Sequence, residues 1–156
     1  MIDPSVQLEP SRVETLIPAL RGLVRASRAL ERVSPELSLP QYRLLSRVAA
    51  GDERATDLAG RLDLAKPTIT AMVDSLVCRG LLGRTAAAGD RRVTRLEVTS
   101  EGRAALEETE AAMAAALNGL VAGCNQPVVV VAALAELGRV LDTRVTARCQ
   151  PQDAAS

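Results

Sequence analysis

Ile69, Val73 and Leu76 stand at i, i+4 and i+7, which puts a single apolar face on a helix running from Lys66 or Pro67 to Arg79. Gly80 follows at the position where a left-handed residue ends a helix. Just upstream, Leu58, Ala59 and Leu62 give a shorter helix its inward side, with Thr56 as the predicted cap. Only Asp63, Leu64 and Ala65 separate the two stretches, and Ala59 is small where the helices must approach. A connection this short makes the second helix project from the body with its N-terminal residues free. Few folds satisfy that constraint.

The flanking segments narrow the choice further. Val13, Leu16, Ile17, Leu20, Leu23, Val24 and Leu30 recur at steps of three and four, so a long amphipathic helix opens the chain. Pro18 lies inside this pattern and predicts a kink or a later start. A second helix is expected from about Pro40 to Ala50, ended by Gly51-Asp52. After Gly80, Leu81-Leu82 begins an extended segment, Ala87-Ala88-Gly89-Asp90 reads as a hairpin tip, and Val93 to Val98 alternates with period two. Ser100 is the predicted cap of an Ala-rich helix reaching Val121, and Pro127 opens a last helix to about Val145. The fold class is therefore mainly α with a small two-stranded antiparallel β-wing: a winged helix-turn-helix over 38–99, a dimerisation helix in 1–37, dimerisation helices in 100–147 and a disordered tail over 148–156. At 156 residues the chain can bury a real core.

Charge is balanced overall, 19 basic against 19 acidic, which argues against a wholly basic nucleic-acid binder. Its distribution matters more. Residues 54–95 carry eight basic and four acidic side chains, whereas 96–156 carry four basic and eight acidic. A phosphate backbone is drawn to the first segment and repelled by the second. The N-terminus lacks a secretory pattern and the longest apolar run, Val128–Ala135, is far below a membrane span, so a cytoplasmic location without membrane contact is expected.

With Ile69, Val73 and Leu76 turned inward, Lys66, Thr68, Thr70, Ala71, Asp74 and Ser75 must point elsewhere. The hydroxyls of Thr68, Thr70 and Ser75 are short enough for a helix lying in a DNA major groove, and Lys66 adds a cation beside the helix N-terminus. The same residues could equally decorate a solvated face. The hairpin weighs toward DNA. Asp90-Arg91-Arg92 places two guanidiniums on a protruding turn, where such charges add little stability but suit a narrow, electronegative minor groove. Arg84, at the base of the ribbon, is placed to meet a phosphate.

These motifs carry a resemblance. Asp90-Arg91-Arg92 in the wing, the run from Leu76 to Leu82 that ends the second helix, and the join Val98-Thr99-Ser100-Glu101-Gly102-Arg103 together resemble the core of the MarR family over residues 38–106. The resemblance implies a homodimeric transcription regulator, commonly a repressor, on a pseudo-palindromic operator in double-stranded DNA. It implies a recognition helix at Lys66 to Leu76, Pro67 included, and a minor-groove contact by Arg92. One departure stands out: Ala71 occupies a place where many members have Arg.

Dimerisation has independent support in Val128–Ala135, apolar on every face, although burial within one chain would also account for it. The resemblance further implies release by a small-molecule effector in a cleft beside the dimer helices. Tyr42, Arg43 and Arg47 are the candidates to line it, with a plain core role for Tyr42 as the alternative. Two other readings stay open: a winged-helix protein-interaction module that no longer binds DNA, and thiol-redox control. Cys78, Cys124 and Cys149 show no metal or disulfide spacing, no cysteine lies in the first helix, and Cys78 is expected to be a buried packing residue. With no histidine, no phosphate-binding glycine loop and no ligand cluster, neither an enzyme nor a metal or other cofactor is expected.

Overall fold

The computed structural model describes residues 9–34, 36–51, 55–87 and 90–148, without the side chains of 55–57, 86–87, 90–94 and 144–148. Its elements are α1 (Pro10–Val33), α2 (Leu39–Ala49), α3 (Ala55–Leu62), α4 (Lys66–Cys78), β1 (Leu82–Ala87), β2 (Asp90–Val98), α5 (Ser100–Ala122) and α6 (Pro127–Arg148). The core gathers Leu44, Leu45 and Val48 of α2, Leu58, Ala59 and Leu62 of α3, Ile69, Val73 and Leu76 of α4, and Leu82, Leu96 and Val98 of the ribbon. Leu37 and Ala105 join it from either side of the winged unit. Each fully buried aliphatic side chain here contributes about 1.5–3 kcal/mol relative to exposure.

Local chemistry explains the boundaries. Ser38 caps α2 reciprocally with Gln41: Gln41 N–H donates to Ser38 Oγ at 3.4 Å and Ser38 N–H to Gln41 Oε1 at 3.1 Å. α3 ends with Asp63 at φ 54° and Leu64 N–H donating to Ala59 O at 3.1 Å. Asp tolerates that left-handed geometry because its short polar side chain can bond locally. α4 ends as expected, with Gly80 at φ 72°, Leu81 N–H on Leu76 O at 2.9 Å and Gly80 N–H on Val77 O at 2.9 Å. In the ribbon, Leu96 and Val98 face inward while Arg95 and Glu97 face out. β1 and β2 pair antiparallel from Leu82↔Val98 to Ala86↔Thr94, after which the register shifts to Ala87↔Asp90.

Several expectations are corrected. α1 does not start after Pro18: it begins at Pro10, a first-turn proline, and carries Pro18 in its interior. α3 begins at Ala55, so Thr56 lies within the helix and is not its cap residue. Thr99, not Ser100, caps α5, accepting from Gly102 N–H at 2.9 Å. Cys78 is exposed rather than buried, since two residues of helix turn it away from Leu76. Burial of α6 within one chain is also excluded, because Val128, Val129, Val131, Leu137 and Leu141 are all exposed. Among the described residues no helix is long and apolar enough to cross a membrane. Cys149 and the tail from 149 onward lie outside the described residues.

Candidate nucleic-acid interface

α4 is held to the body by its buried side and presents the other. Lys66, Pro67, Thr68, Thr70, Ala71, Asp74 and Ser75 are all exposed. Its N-cap, Ala65, has no side-chain acceptor, so the first-turn N–H groups of this helix are left for an outside partner. Thr70 Oγ1 donates to Lys66 O at 3.0 Å, which keeps its hydroxyl against its own helix and leaves only acceptor capacity. Thr68 and Ser75 project from the same helix on either side of Ala71.

The far end of α4 is anchored twice. Arg79 Nη2 donates to Glu36 O at 2.7 Å and to Glu36 Oε2 at 3.1 Å, tying α4 to the segment that leads into α2. Thr99 Oγ1 donates to Gly80 O at 2.7 Å while accepting from Gly102 N–H, so one hydroxyl joins the end of α4 to the start of α5. At this joint glycine is required. A Cβ on Gly102 would lie 2.0 Å from Leu81 O and 2.9 Å from Val98 Cγ1.

Arg84, expected to reach a phosphate, is paired within the protein: its Nη2 donates to Asp74 Oδ1 of α4. Both side chains stay about half exposed. Asp90, Arg91 and Arg92 open β2, where the register shifts; their side chains lie outside the described residues, as does the expected tip residue Gly89.

The three residues expected to line an effector cleft are divided. Arg43 and Arg47 border a cavity of about 340 Å³ between α2, α3 and α6, together with Arg61, Leu62, Leu141 and Asp142. Arg47 Nη2 pairs with Asp142 Oδ1 at 2.7 Å. Tyr42 turns the other way, packing against the core and donating to Glu110 Oε1 of α5 at 3.4 Å. Burial, and then the neighbouring Glu110 carboxylate, push its phenol above the usual tyrosine range. Sequence reasoning missed Asp142, which lies 95 residues from Arg47 and could be placed only by the fold. A larger, wholly apolar groove of about 680 Å³ runs between α1 and α6, lined by Val13, Leu16, Leu20, Val130, Leu134 and Leu137 among others.

Comparison with known proteins agrees with this architecture. Residues 37–94 match the family model described as MarR family. The transcriptional repressor CouR bound to a 23-mer DNA duplex is 27% identical, with a TM-score of 0.68 over 86% of this chain and 98% of that one. CouR from Rhodococcus jostii RHA1 bound to p-coumaroyl-CoA is 25% identical, with a TM-score of 0.62 over 83% of this chain and 91% of that one. Wild-type MarR from E. coli, in its apo form, shares the fold at 20% identity, with a TM-score of 0.64 over 86% of this chain and 98% of that one. Among curated protein sequences none matches. Residues 37–94, which match the MarR family model, hold the helix-turn-helix and most of the wing.

Proposed function

We propose that this chain is a homodimeric, sequence-specific DNA-binding transcription regulator, a repressor released from a pseudo-palindromic operator by a small-molecule ligand. The observation that carries the reading is α4, fixed by Ile69, Val73 and Leu76 while its opposite face and uncapped N-terminus stand in solvent. Such a helix fits the major groove, and the Arg91-Arg92 pair on β2 supplies cations for the adjacent minor groove. Homodimerisation is supported by the exposed apolar faces of α1 and α6, where Leu20 is 60% and Val128 81% accessible. A twofold pair of α4 helices fits half-sites about 10 bp apart. A ligand role for the cleft at Arg43 and Arg47 is supported by its position between the winged unit and α6, and by the DNA-bound and ligand-bound forms of CouR.

The test is anisotropy titration of the full-length protein on DNA from upstream of its own gene, at several salt concentrations. Replacing Arg91 and Arg92 by Ala is expected to weaken binding on every sequence and to reduce the salt slope by roughly two. Unchanged affinity and slope would favour a winged-helix protein-interaction module instead.

A further inference from the structure

Each helical residue advances roughly 100° around its axis. Opposite the buried Ile69, Val73 and Leu76, the outward face of α4 is therefore Pro67, Ala71, Asp74, Ser75 and Cys78, all exposed. Thr70 and Lys66 fall on its flank. Ala71, near the middle of that face, ends at Cβ and lets the helix backbone come close to whatever it meets. Reach then passes to the residues one turn on, Asp74 and Ser75.

A carboxylate at this position needs an explanation, because it would face phosphates of its own sign. Arg84 provides one. Its Nη2 donates to Asp74 Oδ1, which offsets the charge and fixes the rotamer, while Oδ2 has no partner among the described residues. The arrangement presents one neutralised, oriented acceptor to the groove. Of the four bases, guanine and thymine offer acceptors at the major-groove edge, which repel it. Adenine offers an amino group, but beside its N7 acceptor. Cytosine offers the N4 amino group as a donor alone.

We infer that Asp74 reads a cytosine in each half-site through this acceptor, with Arg84 as its positioning residue rather than a phosphate ligand. The inference rests on the DNA-binding reading above. It also makes Ala71 a requirement of close approach rather than a lost contact.

In vitro selection from a randomised duplex library, followed by affinity measurement with full-length protein, tests it. Wild type should select cytosine at one position per half-site. Asp74→Ala should lose that preference by about tenfold, with the other positions unchanged. Asp74→Asn, whose amide offers a donor beside an acceptor, should move the preference toward adenine. Arg84→Ala should weaken binding on all sequences by leaving the carboxylate uncompensated, and adding Asp74→Ala should restore affinity but not the cytosine preference.

The inference is overturned if Asp74→Ala and Asp74→Asn select the wild-type sequence. It is equally overturned if Arg84→Ala lowers the salt slope by about one with no rescue in the double variant, the behaviour of a phosphate ligand. A wild type that selects no sequence would sink the DNA-binding reading and this inference with it; selection left intact in the variants sinks the inference alone.

Discussion

Gly102→Ala is expected to be among the most damaging single-methyl additions in this chain. A Cβ there would sit 2.0 Å from Leu81 O and 3.0 Å from Leu81 C, both backbone atoms, and 2.9 Å from Val98 Cγ1. Ordinary contact requires α5 to retreat by more than about 1 Å. That retreat stretches the 2.9 Å bond from Gly102 N–H to Thr99 Oγ1 and the 2.7 Å bond from Thr99 Oγ1 to Gly80 O. Overpacking costs about 1–3 kcal/mol and loss of the cap about 1 kcal/mol. The gain in helix propensity from Gly to Ala, about 1 kcal/mol, offsets only the cap. A net loss near 2 kcal/mol follows, or a fall in Tm of roughly 4–8 °C for a domain of this size. The assay is thermal melting followed by circular dichroism at fixed protein concentration, since the Tm of the proposed dimer would depend on it. Gly119→Ala is the control: it lies in the same helix with nothing within 4 Å of its Cβ, so it should be neutral or slightly stabilising. If Gly102→Ala melts with or above Gly119→Ala, the close packing of α5 on Leu81 is wrong.

Three further outcomes are expected. Leu20→Asp and Val128→Asp place charges on the exposed apolar faces of α1 and α6, and sedimentation should show a shift from dimer toward monomer with the helical content of the winged unit retained. Tyr42 is the chain's one tyrosine, so its ionisation can be followed directly by tyrosinate absorbance. Its phenol is held above 10.0 by burial and by Glu110, so stability is fully present below the unfolded value and is lost as pH rises toward the folded one; Tyr42→Phe should abolish that alkaline loss. Asp142→Ala should lower stability by about 1 kcal/mol in denaturant titration, because its carboxylate is largely exposed although its partner Arg47 is mostly covered.

How far the sequence foretold this structure depended on the range of the physics involved. The buried face of α4 and its end at Gly80 follow from a local periodicity and a local backbone demand, and both could be read directly. The cap of α5 could not. Thr99 and Ser100 offer adjacent hydroxyls of similar chemistry, and what selects Thr99 is a second hydrogen bond to Gly80, 19 residues away. The cap of α2 was within reach, because Ser38 and Gln41 have the spacing of a reciprocal cap. The later start that Pro18 suggested is not taken: Val13, Leu16 and Ile17 before it and Leu20 and Leu23 after it line one continuous groove, and such packing can outweigh one missing backbone bond. That Arg84 pairs with Asp74, ten residues earlier, could be placed only by the fold.

The same contacts decide which parts of the winged unit can move relative to the long helices. On one side, Thr99 N–H meets Leu81 O at 3.3 Å, Thr99 Oγ1 meets Gly80 O, and Gly102 N–H meets Thr99 Oγ1, all within a joint too tight for a methyl group. Hydrogen bonds of this kind contribute about 0.5–1.5 kcal/mol each, and close packing resists sliding. The end of α4 and the start of α5 are therefore held as one piece. Across the cleft, the Arg47–Asp142 pair joins α2 to α6, with Asp142 largely exposed and Arg47 mostly covered. On the reading proposed above, a ligand that entered the cleft and competed for Arg47 would act on that pair, while the joint at Gly102 would keep the end of α4 fixed to α5.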